Sequence, residues 1–118
     1  MRFSLIIAAV LLATLPVAGS AQASCSGTTS AAITQCEHTR WQRADAELNR
    51  LWRELKPRAD AQGTGQALLT QQRRWLQRRD ATCEQELGHG GSLDRALYYG
   101  CMKDMTVQRN AEFRAMLR

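Results

Sequence analysis

The chain has 118 residues, with 16 lysines and arginines against 11 aspartates and glutamates, a formal net charge of +5 and four cysteines. That length is what one small domain occupies. Its basic balance would suit nucleic acid in a cytoplasmic protein, but the beginning of the chain points elsewhere.

Residues 1–23 read as a secretion signal rather than as part of the fold. Arg2 gives a positive start, Leu5 to Ala13 (LIIAAVLLA) an apolar centre, and Ala21-Gln22-Ala23 the small-x-small pattern that precedes cleavage. The apolar run is too short and too poorly flanked to span a membrane. Cys25 raises the alternative of lipid attachment. Such a box wants leucine or a similar residue three positions earlier, and Gln22 stands there. The expected mature chain is therefore Ser24–Arg118, one helical domain, periplasmic or secreted. With Arg2 removed it carries 15 basic against 11 acidic residues. Behind an export signal this balance fits an anionic envelope polymer or an acidic partner, or simply a soluble helical surface.

Three helices follow. The first is expected from about Thr29 to Lys56, with Ile33, Trp41, Ala44, Leu48, Leu51, Trp52 and Leu55 at helical spacing. Pro57 is expected to help end it, and the polar stretch Arg58 to Gly65 to make the connection. The second spans about Gln66 to Leu87. Gly88-His89-Gly90-Gly91 then breaks the chain, and Ser92 is a suitable N-cap for a third helix that buries Leu97, Cys101, Met105, Phe113 and Met116. No useful strand-like alternation occurs. The fold class is all-α: an antiparallel helical hairpin with a third helix packed on it, stabilised by two disulfides. Zinc is the competing reading of Cys25, Cys36, Cys83 and Cys101, but no C-x-x-C pair is present. Helical rise puts Cys83 and Cys101 at similar levels on either side of the glycine turn, and Cys25 within reach of Cys36, so those two pairings are favoured.

Two arginines fall on the apolar sides of their helices: Arg79 on the second and Arg109 on the third. A guanidinium removed from water must be paired. Asp45 stands at the level of Arg79, within roughly 5 Å along the axis, while Asn49 and Gln72 stand near Arg109. These five residues are expected to form a structural polar cluster that sets helix register. A catalytic reading would need a second acid, and Glu37 is the only one plausibly near. Glu37 and Asp45 are eight residues apart on one helix, with no histidine, no activated nucleophile and no metal-ligand set beside them. No catalytic residue, cofactor or metal is expected. Trp41, Trp52 and Trp75 read as core. Tyr98 and Tyr99 point about 100° apart, so one should be more exposed and available for contact.

The ordered motifs Cys36, Ala44-Asp45, Leu48-Asn49, then Q-R-x-W-L-x-x-R-D-x-x-C from Gln72 to Cys83, Gly90-Gly91-Ser92, and C-x4-T-x-x-R from Cys101 to Arg109 resemble the lysozyme-inhibitor LprI-type family. The resemblance covers nearly all of Ser24–Arg118, with Phe113 standing where the family often has leucine. It implies an exported, disulfide-stabilised helical protein that binds a protein partner, with lysozyme as the suggested target. Common animal lysozymes are cationic, so a basic inhibitor needs a local acidic or apolar contact. Glu84 and Glu86, ahead of the glycine turn, are candidates together with Tyr98 and Tyr99. An alternative reading uses Arg43, Arg50, Arg53, Arg74 and Arg78 against an anionic cell-wall polymer. Oligomeric state is left open by the sequence.

Overall fold

The computed structural model describes residues 25–118, and the expected secretion signal and its cleavage point lie outside them. Three helices and one short 3-10 turn account for the described chain, which contains no strand: α1 (Ser30–Ala61), α2 (Gly65–Glu84), the turn Gln85–Gly88, and α3 (Asp94–Leu117). Thr29 begins α1 as its side-chain oxygen accepts the Ala32 N–H at 3.1 Å, satisfying one of the otherwise unpaired first-turn donors.

Pro57 does not end α1. The helix continues through it to Ala61. Proline removes one backbone donor and crowds the preceding turn, a cost of about 3 kcal/mol in a helix interior. Here its ring is exposed to solvent, while Leu55 and Ala59, on either side of it in sequence, are buried. Their burial holds the helix against its neighbours past the defect. The connection to α2 is correspondingly short, Gln62 to Thr64. Gly63 has φ +78°, its N–H donates to the Asp60 carbonyl at 3.0 Å, and the Thr64 N–H donates to the Ala59 carbonyl at 2.9 Å. These two bonds are the Schellman closure, which requires a left-handed residue directly after the helix. Gly65 is needed for a different reason: a Cβ there would sit 1.7 Å from Asp60 Oδ1 and 3.0 Å from Asp60 Cα.

At the other end, α2 gives way to the 3-10 turn at Gln85 rather than continuing to Leu87. Ser92 does not cap α3. The cap position is Leu93, without a side-chain bond, and Asp94 in the first turn reaches back instead. Its two carboxylate oxygens accept the N–H groups of Gly90 at 2.9 Å and Gly91 at 3.1 Å. A carboxylate offers a separate oxygen to each of two neighbouring donors of the glycine turn.

The core joins Leu48, Leu51 and Leu55 of α1, Trp75 of α2 and Phe113 of α3, flanked by Trp52, Leu68, Leu76, Met105 and Leu117. The most intimate pairing is α1 with α3, so the third helix packed on the hairpin makes its main contact with α1. Asn110 Nδ2 donates to the Ala44 carbonyl at 3.0 Å, and Arg114 pairs with Glu47 at 3.0 Å, both across that interface. The two disulfides are Cys25–Cys36 and Cys83–Cys101, each with Cα atoms 5.5 Å apart. The first fastens the segment ahead of α1 to it. The second ties the end of α2 to α3. Two of the residues expected inside α3 are not: Leu97 and Met116 are 48% and 47% exposed, because α2 stops short of the one and α3 runs out beside the other. Among the described residues no helix is long and apolar enough to cross a membrane.

Candidate functional site

The inward arginines come first, because they decide whether the interior or the exterior is available for chemistry. Arg79 is 6% exposed and Arg109 3%. Arg79 Nε donates to Asp80 at 3.0 Å, its Nη1 donates to the Thr106 hydroxyl at 3.3 Å, and Asp45 lies 3.6 Å from Nη1. Thr106 in turn donates to the Met102 carbonyl at 2.7 Å. Arg109 Nε donates to Gln72 Oε1 at 2.9 Å, and its Nη1 to Glu112 at 2.5 Å. A longer bond from Nη2 reaches Gln71 at 3.4 Å. The Trp75 ring adds π-face contacts to both guanidinium groups, at 5.2 Å from Arg79 and 5.8 Å from Arg109, and Phe113 lies 4.8 Å from Arg109. Each buried cation thus has an anion and a neutral acceptor.

Asn49 does not belong to this cluster. It is exposed, and no bond joins it to Arg109. The buried asparagine is Asn110, which binds α1 backbone. Thr106, Asn110, Gln71 and Glu112 escape a reading based on apolar stripes because polar side chains carry no apolar periodic signal. The spacing of Arg109 and Glu112, three residues apart on one helix, could have found that partner.

The two acids weighed for catalysis are each engaged with an arginine. Glu37 Oε1 accepts from Arg40 at 3.4 Å and Asp45 faces Arg79. Eight residues of helix separate them by about 12 Å along the axis. One groove between α1 and α3 is lined by Arg40, Arg43, Glu47, Lys103, Asp104 and Asn110 among others, and a second, between the starts of the two helices, by His38, Arg95 and Tyr99 among others. Among the described residues no group of three or more His, Cys, Asp or Glu side chains could hold a metal ion.

Tyr98 and Tyr99 are both half-buried, so neither is the freely exposed tyrosine that adjacency suggested. Tyr99 lies 4.6 Å from the His38 ring and stacks at 5.8 Å on Trp41. Tyr98 touches Tyr99 edge-on. Burial pushes the Tyr98 hydroxyl above its ordinary pKa, and the nearby Asp80 charge adds to the effect.

The exposed apolar side chains of this end are leucines: Leu87, Leu93 and Leu97, between 43% and 48% exposed. Leu93 and Leu97, four apart at the start of α3, share one side, and the 3-10 turn that carries Leu87 packs against α3. The same stretch, residues 80–94, holds Asp80, Glu84, Glu86 and Asp94 and no lysine or arginine. Asp94 is consumed in the turn, and Glu86 meets His89 at 2.9 Å. Glu84 is exposed and has no cation within 4.0 Å among the described residues. On a basic protein this is an acidic end with apolar centres.

The arginines considered for a polyanion divide. Arg50 is held by Glu47 at 2.7 Å and Glu54 at 3.6 Å. Arg43, Arg53, Arg74 and Arg78 have no carboxylate within 4.0 Å among the described residues, and neither has Arg73, which the polyanion reading did not include.

Comparison with known proteins places this arrangement. An uncharacterized protein of Rhizobium meliloti (strain 1021), R02472, is 30% identical over 96 residues, covering 70% of this chain and 69% of its own. No solved structure matches significantly. The family model described as lysozyme inhibitor LprI matches residues 21–113, a span that takes in all four cysteines, both inward arginines and the acidic end. The chain belongs to the LprI family.

Proposed function

We propose that the protein is exported and inhibits a cationic lysozyme by stoichiometric contact, without catalysis, and that its acidic end is the contact surface. The observation that carries this is the coincidence, on residues 80–97, of unpaired Glu84, of Glu86 and of exposed Leu87, Leu93 and Leu97, with Asp80 paired to Arg79 and Arg95 the one arginine or lysine among them. Apolar centres exclude water from an interface while a rim of opposite charge steers the encounter. The family description supplies the target class, and the two disulfides suit an oxidising compartment. Tyr98 and Tyr99 act behind this surface, as packing that holds the start of α3 in place.

Titration of the disulfide-bonded protein into several cationic lysozymes, with hydrolysis of cell-wall substrate as readout, tests the proposal. Inhibition should saturate at a fixed ratio. Leu93→Ser with Leu97→Ser should weaken it by more than about tenfold, and Glu84→Lys with Glu86→Lys should slow association most at low salt. Absence of both complex and inhibition with every lysozyme would remove it.

A further inference from the structure

On α1 and α3 most basic side chains are neutralised locally, with Arg43, Arg53 and Arg95 the exceptions among the described residues. Arg40 meets Glu37, Arg50 meets Glu47 and Glu54, Lys56 meets Asp60, Arg58 meets Glu54, Lys103 meets Asp104, and Arg114 meets Glu47. The solvent side of α2 is built differently. Arg73, Arg74 and Arg78 are all exposed, and among the described residues none has a carboxylate within 4.0 Å. Between Gly65 and Arg79 the helix contains no acid at all. The other residues of that outer strip are Gln66, Thr70, Gln77 and Ala81, all exposed, at the i, i+4 and i+7 spacing of a single helical face. Trp75 and Leu76 turn inward.

We infer that this face of α2 is a docking surface for the anionic phospholipid headgroups of a membrane. Free guanidinium groups are strong donors for phosphate oxygens, and this strip leaves three of them uncompensated. Its form selects a flat partner over a chain. A glycan strand is held by a concavity or by exposed aromatic rings, and this strip has neither aromatic side chain nor groove. Grooves among the described residues lie between α1 and α3 and beside the α1–α2 turn. The strip also has no large apolar side chain to insert into acyl chains, so the contact is peripheral and electrostatic. α2 can lie flat because α1 and α3 pair with each other on its inner side. The acidic end beyond Asp80 is repelled by the same surface, which leaves it turned toward the aqueous space.

Co-sedimentation of the disulfide-bonded protein with vesicles tests this. The expected result is retention on phosphatidylglycerol-containing vesicles, none on pure phosphatidylcholine, and release by added salt. Arg73→Gln with Arg74→Gln and Arg78→Gln should lower partitioning by about a hundredfold, at roughly fivefold per arginine. The control triple Arg50→Gln, Arg58→Gln, Arg114→Gln changes net charge equally but removes paired side chains, and it should lose less than about tenfold. Equal losses in the two triples would overturn the inference in favour of net charge alone. Failure to bind anionic vesicles, or retention on peptidoglycan without retention on vesicles, would also overturn it. Lysozyme titration of the α2 triple should match the unsubstituted protein, so the two proposals fail separately.

Discussion

The pairing of Arg109 with Gln72 offers the sharpest test of how the helices are held in register. The guanidinium is 3% exposed and the amide 7%, and their bond is 2.9 Å. Arg109→Met keeps most of the volume against Phe113 but leaves Gln72 Oε1 without its donor. A buried acceptor so stranded costs about 1–3 kcal/mol. Gln72→Leu strands Arg109 Nε instead. Glu112 still neutralises the charge, so the cost again falls at about 1–3 kcal/mol. In the double variant both polar partners are gone, and replacement by apolar groups of similar shape is often close to neutral. With single costs of about 2 kcal/mol each and a double cost below about 1, the cycle should show a coupling of about 3 kcal/mol. Urea unfolding of the disulfide-intact protein reads it directly. With a slope of about 2 kcal/mol/M, each single variant shifts the midpoint down by about 1 M and the double by much less. Additivity of the two single effects to within about 0.5 kcal/mol would refute the argument, because it would mean that the two side chains do not depend on each other.

Gly63 supports a second measurement: with φ +78°, Gly63→Ala should cost about 1–2 kcal/mol in thermal unfolding and Gly63→Asn clearly less. The hydrogen bond from Arg50, reinforced by Arg114, holds the Glu47 carboxyl down at about 2, against an ordinary 4.5. A carboxyl depressed by folding contributes stability that is complete above its unfolded value and is lost as pH falls from about 4.5 toward 2. Glu47 is close to the surface, so screening limits that contribution to about 1 kcal/mol or less. An NMR titration of the Glu47 carboxyl should move back toward 4.5 in Arg50→Gln, and an unchanged midpoint would exclude that hydrogen bond as the cause. Replacing Cys83 and Cys101 together by alanine frees an 18-residue loop and should lower stability by about 3 kcal/mol. A melting temperature within a degree or two of the parent would show that the bridge is thermodynamically idle.

The charges of this molecule are sorted rather than scattered. The acidic residues of 80–94 stand at one end, and three unpaired arginines occupy the outer side of α2. Net charge alone hides this, because the positive total conceals a stretch where the sign reverses.

Helical period, the levels of the cysteines and the inward position of Arg79 and Arg109 could all be read from the sequence, because each depends on geometry within one helix or on a simple count of rise. Arg79 and Arg109 announced that acceptors must exist, since an unpaired buried guanidinium is too costly to persist. Which acceptors meet them depended on how the helices rotate against one another. Asn49 and Asn110 differ in burial because α1 turns Ala44, Leu48 and Leu51 toward α3 and leaves Asn49 outside. No pattern within α1 alone specifies that rotation. Likewise Pro57 is a reliable breaker in isolation, yet the burial of Leu55 and Ala59 overrides it, and the exposure of Leu97 follows from where α2 stops. Local periodicity tells each helix which side is apolar. Only the packing of all three decides how much of that side is covered, because coverage is a property of neighbours far apart in the chain.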